Sequence, residues 1–164
     1  MKITTITLSM VAALSLTSCA TQQAASTDWT PYLKSMQDGC DYPNPTTSSL
    51  PMVYQQSIIH TDTRSSGDDN TAETTTTYTL NNATAFGQQL SKIEYLSGYE
   101  WSHLKLYFTN DPQALRSKFV LPVDKYDYNT VTKDDASGYQ VTGEGFTHLT
   151  FDKKDNSITC GFGV

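Results

Sequence analysis

Alternation with a period of two is the feature that most restricts the fold of this chain. In WSHLKLYF, residues 101–108, Leu104, Leu106 and Phe108 fall on one side, and Trp101, His103, Lys105 and Tyr107 fall on the other. Successive side chains of a strand point to opposite faces, so the pattern predicts a strand with one buried face. Residues 146–152 and 157–162 behave alike and are joined by the short polar link KKDN. There Leu149 and Phe151 share a face, as do Ile158, Cys160 and Phe162, which predicts a hairpin with Cys160 and Phe162 pointing inward. Residues 92–97 precede Gly98 and pair with 101–108. The β-branched run TTTTYTL, residues 74–80, pairs back across the polar turn RSSGDDNTAE on residues 52–63, which read as a strand, although Tyr54, Ile58 and Ile59 also suit a helix.

Two stretches read as short helices. In DWTPYLKSMQDG, residues 28–39, Thr30 is positioned as N-cap and Pro31 as first helical residue; Tyr32, Leu33 and Met36 follow at helical spacing, and Gly39 stops the run. Asp111-Pro112 opens a second helix reaching about residue 118. DKYDYNTVTKDDASG, residues 124–138, reads as an acidic, tyrosine-bearing loop. These elements predict an α+β domain: a mainly antiparallel β-sheet built from hairpins, with two short helices to one side or end and one disulfide.

The amino end has a positive start, Met1-Lys2, and an apolar run ending at Leu14 and Leu16, as a secretory leader does. It is shorter than the about 20 apolar residues of a membrane-spanning helix. Leu16-Thr17-Ser18-Cys19 resembles the lipobox of bacterial lipoproteins. The resemblance implies cleavage before Cys19, lipidation of that thiol, and, with Ala20 rather than Asp following, passage to the outer membrane of a Gram-negative cell, facing periplasm or cell surface. It also resolves the odd count of three cysteines. With Cys19 assigned to lipid, Cys40 and Cys160 remain, and in an oxidising compartment they are expected to bridge. The chain then divides into a signal peptide at 1–18, a flexible polar tether at 19–27 and a single domain at 28–164.

Acidic side chains outnumber basic ones 17 to 11. Such a surface repels phosphate backbones, which argues against nucleic acid as a partner and suits a basic protein. There is no HExxH on a helix, no GxSxG, no phosphate-cradling glycine loop and no EF-hand pattern in the chain. No catalytic or metal-ligating set is therefore assigned, and no cofactor is expected.

The chain has ten tyrosines and two tryptophans, residue types that provide large rigid contact area with a polar tip. Tyr99, Trp101, Tyr107, Tyr126, Tyr128 and Tyr139 lie near turns, on outward parity or in the acidic loop. WSHLKLYF and FTHLTFDK also share the order aromatic, hydroxyl, His, Leu. If those strands are neighbours in register, Trp101, His103, Phe146 and His148 form one patch. The candidate binding residues are therefore these six aromatics with His103 and His148. Ser97-Gly98 and Ser137-Gly138-Tyr139 resemble the Ser-Gly loop of membrane-bound lysozyme inhibitors in those residues, but their flanks depart from that pattern and no membership is assigned. The expected function is that of an envelope-anchored protein-binding lipoprotein, an inhibitor or immunity factor against a cationic cell-wall hydrolase or toxin. The alternatives are an accessory lipoprotein of an envelope assembly and a small-molecule or metal-binding domain.

Overall fold

The computed structural model of the chain describes residues 26–46, 50–68, 71–123 and 129–164. Cys19, Tyr126 and Tyr128 lie outside them. The described residues are mostly strand, and nine strands form one sheet. Two long hairpin-connected strands, β2 (Ile58–Ser66) and β3 (Glu73–Ala85), lead into β4 (Gln88–Ser97) and β5 (Trp101–Phe108). The other half holds β6 (Thr130–Asp135), β7 (Gly138–Thr142) and β8 (Phe146–Asp152). The two halves are joined by β9 (Ser157–Gly163), which pairs with β5 on one side and β8 on the other. The short β1 (Thr27–Asp28) runs parallel to the end of β3, so the sheet is mixed, although every other strand pairing is antiparallel. Thr27, placed by sequence in the tether, already belongs to this pairing.

One face of the sheet carries the core. Tyr78, Ile93, Leu104, Leu106, Leu149, Phe151 and Ile158 are all buried there. Their cover is α1 (Thr30–Leu33), which runs on as 3-10 turns over Lys34–Gln37 and contributes Leu33 and Met36. Trp29 is fully buried beside it and donates its indole N–H to Ser57 Oγ at 3.0 Å. Thr30 is not the N-cap; that place falls to Trp29, and Thr30 Oγ1 accepts instead from the Phe86 amide at 2.6 Å. A 3-10 helix at Pro112–Lys118, capped by Asp111 accepting from the Gln113 amide, brings Leu115 over the far half, where Phe119 packs edge-on against Phe86 and Phe151.

Among the described residues three short helices are present where sequence reading expects two. The third, α2 (Met52–Gln55), replaces the start of the strand expected over 52–63. Pro51 opens it, its carbonyl accepting from the Tyr54 and Gln55 amides, and burial of Tyr54 against Trp29 and Tyr32 fixes it. The loop expected over 124–138 contains β6 from residue 130. Its edge strand is exposed along its length and shows no apolar alternation. Arg116 holds it, reaching the Asp134 carboxylate at 2.6 Å and the Asp135 carbonyl at 3.0 Å.

Cys40 and Cys160 form a disulfide with Cα atoms 5.3 Å apart. Gly39 and Cys40 both adopt positive φ, which turns the chain out of the helix and aims Cys40 at β9. Cys160 points inward as its parity requires and is fully buried. Phe162 shares that face but is 47% exposed, because the cover ends before it. The bond closes a loop with a sequence separation of 120, worth about 4–5 kcal/mol in the chain-entropy model. A Cys40→Ser/Cys160→Ser double variant is accordingly expected to lose several kcal/mol of unfolding free energy, measured by urea titration. A loss below about 1 kcal/mol would contradict this account.

Candidate functional site

The opposite face of the sheet is open among the described residues, and its register brings the two similar strands together without making them neighbours. Trp101 and Phe146 both stand opposite Gly163, and His103 and His148 both stand opposite Gly161. The strand between them, β9, carries glycine at the two outward positions that these residues flank, and this lets rings lie across it. A Cβ on Gly161 would sit 2.2 Å from His148 Cε1, and one on Gly163 would sit 2.4 Å from Phe146 Cε1. Phe146 and His148 stack with ring centres 5.9 Å apart and planes 19° apart. Trp101 leans the other way, over Gly98, where a Cβ would come within 2.8 Å of its indole nitrogen.

Further along this face, side chains are engaged with one another. Glu94 lies 3.5 Å from His103 Nε2 and accepts a 3.4 Å hydrogen bond from the Tyr107 hydroxyl. Lys92 Nζ stands 3.6 Å above the Tyr107 ring, and Lys105 Nζ lies 4.8 Å from it while pairing with Asp155 at 2.7 Å. Burial, then the Glu94 charge, pushes the Tyr107 phenol above its ordinary value. Burial alone would lower the Lys105 pKa, but its bond to Asp155 and the neighbouring Tyr107 outweigh this and raise it. These contacts make Tyr107 an organiser of the face more than a free recognition group.

Exposed aromatic rings and carboxylates gather at one end of the sheet. The β2–β3, β4–β5 and β7–β8 turns all lie there, with the end of β9. Tyr99 at the β4–β5 tip is 77% exposed, Trp101 45%, Phe146 38% and Phe162 47%. Asp68, Glu100 and Glu144 are exposed among them, and Glu73 is half-buried. No lysine or arginine occurs among the described residues of those turns or the strand residues next to them; Arg64, further back on β2, is paired with Asp62 at 2.7 Å. The two lysines of the β8–β9 turn, Lys153 and Lys154, lie at the other end. Hollows open at the acidic end among the described residues: one of about 390 Å³ between Tyr99, Trp101, Glu100, Thr71 and Glu73, and another of about 420 Å³ beside Thr130, Thr142 and Glu144; a third, of about 690 Å³, runs back from Glu73 along the open face past Arg64 and Lys92.

Of the residues singled out by sequence, Tyr99 and Trp101 are exposed at this end, and His103 and His148 are half-buried on the open face. Tyr139 is a correction: it is buried in the core, on the covered face opposite Leu149, under Arg116 at 5.6 Å. Burial pushes its phenol up to about 12, against the opposing charge of Arg116. Its closeness to Ser137-Gly138 suggested a turn residue, but the strand it belongs to starts at Gly138 and is covered by the 3-10 helix. Phe162, Glu100 and Glu144 are missed by sequence reasoning as surface-binding groups: Phe162 has inward parity, and a single carboxylate in a turn carries no pattern that marks it out.

Among the described residues no group of three or more His, Cys, Asp or Glu side chains is placed to hold a metal ion, and no helix is long and apolar enough to cross a membrane. No family model, curated protein or solved structure matches this chain, so no enzyme family is found for it.

Burial, reinforced by the neighbouring His103, holds the His148 pKa below 6.5. The folded state therefore favours neutral His148. Its contribution to stability is complete above about pH 6.5, the unfolded value, and is lost as pH falls through the lower folded value. His148→Phe keeps a ring over Gly161 and removes the titration. Thermal unfolding followed from pH 7 to pH 4 is expected to show a shallower loss of Tm below pH 6.5 in this variant than in the parent chain.

Proposed function

We propose that the domain is a protein-binding module that captures a basic partner on the end of the sheet bearing Tyr99, Trp101, Glu100, Phe146 and Glu144. The observation that carries this reading is the interleaving there of exposed aromatic rings and carboxylates with no cation among the described residues. Aromatic side chains supply contact area at low entropic cost and dominate binding energy at protein interfaces. The surrounding negative charge speeds encounter with a cationic surface and discriminates against acidic ones. Cell-wall hydrolases that approach an anionic wall are cationic partners of this kind, which supports an inhibitor or immunity role over an assembly role. Lipidation of Cys19 would hold the module at the outer membrane, where it would meet such enzymes at high local concentration. Acylation is checked by mass spectrometry of the native amino terminus.

The binding reading is tested with a cationic lysozyme as probe, by calorimetry at 50 and 300 mM salt. Salt-sensitive binding is expected, weakened at least tenfold by Glu100→Lys/Glu144→Lys and by Trp101→Ala. Because these positions are surface turns or partly exposed, Tm should change little. Affinity indifferent to both salt and these substitutions, or no inhibition or binding of any cationic hydrolase tried, would overturn the proposal.

A further inference from the structure

The hollow between the β2–β3 and β4–β5 tips has a more specific chemistry than the end of the sheet as a whole. We infer that it receives one arginine side chain of the partner, with the guanidinium against Trp101 and Tyr99 and its N–H groups directed at Glu73 and Glu100. This rests on the reading of that end as a protein-binding surface and deepens it.

Size is the first support. At about 390 Å³ the hollow admits a side chain but not a folded element. Its walls are the second. The Trp101 indole is laid along the turn because Gly98 beneath it has no Cβ to push it away, and Tyr99 stands beside it largely in solvent. A flat delocalised cation against such rings gains attraction from the ring quadrupole. The carboxylates are the third. Among the described residues neither Glu73 nor Glu100 forms an ion pair, and the one hydrogen bond to their carboxylates comes from Ser66 Oγ, which donates to Glu73 Oε1 at 3.0 Å. Oxygens on both carboxylates thus remain for a cation. Guanidinium fits these demands together: it is planar, always charged, weakly hydrated and presents several N–H groups in a rigid fork, whereas ammonium is a compact, strongly hydrated point charge.

The molecule carries its own reporter. Of the two tryptophans, Trp29 is fully buried and Trp101 is 45% exposed, so ligand-induced change in indole fluorescence reports the hollow. The full chain would be titrated with three blocked tripeptides, Gly-Arg-Gly, Gly-Lys-Gly and Gly-citrulline-Gly, the last keeping arginine's shape without its charge. The arginine peptide is expected to perturb Trp101 saturably, the lysine peptide more weakly, and the citrulline peptide at least tenfold more weakly. Glu73→Gln/Glu100→Gln should remove the preference for arginine over citrulline. Glu144→Gln, at the same end but outside the hollow, should leave it intact. Equal response to arginine and citrulline, a stronger response to lysine, or an unchanged preference in the double Gln variant would overturn the assignment. Lysozyme binding that survives Glu73→Gln/Glu100→Gln but is lost in Glu100→Lys/Glu144→Lys would overturn the arginine pocket and leave protein capture standing. Tripeptide selectivity with no protein binding would do the reverse.

Discussion

The Cys40–Cys160 bond joins the two parts of this molecule that most need a fixed relation: the helical cover and the strand at the seam of the sheet. A sheet with its core on one face must keep its cover in place, because its other face is only partly buried. Here the cover is short. Helix α1 and its 3-10 continuation span eight residues from Thr30 to Gln37, too few to be stable alone in water. Its place is set by Trp29, Leu33 and Met36 beneath it and by the covalent tie immediately after it. Cys160 receives that tie in the middle of β9, with Leu104 opposite on one side and Leu149 on the other. Cover and seam are thus pinned at one buried point.

That arrangement explains why the other face is free to carry chemistry. Glycines at 161 and 163 flatten the centre of the open face, and the rings of His148 and Phe146 lie over the space they leave. Toward the middle, Glu94, Tyr107 and the two lysines satisfy one another. Toward the turns, rings and carboxylates are left exposed, and the proposed binding surface begins there.

Much of this was legible before the structure. The alternation in residues 101–108 and 146–162 places the central strands and their faces correctly, and with them the outward aromatic-and-histidine rows. The bridge followed from assigning Cys19 to lipid, an assignment on a residue outside the described chain. What alternation could not convey is which strands lie side by side. WSHL and FTHL look like neighbours because they share a register, yet they share it through β9, which pairs with both. Edge strand β6 escaped because an edge exposed on both faces has no reason to alternate. Tyr139 was misplaced because its burial comes from the 3-10 helix, a long-range neighbour that local pattern does not encode. Phe162 was misplaced for the converse reason: parity predicts a side, but only tertiary structure says where the cover on that side stops.

The position of β9 also imposes an order in time. It follows every other strand in the sequence, yet it lies between β5 and β8, so the two halves of the sheet have no shared hydrogen-bond ladder until it arrives. Before then, each half presents a bare inner edge, and the Cys40–Cys160 bond cannot form. Closure therefore waits on contacts far apart along the chain, which makes folding slow compared with that of locally wired domains. Among the described residues, the strand that comes last in the chain is thus the one that turns two half-sheets into a single surface.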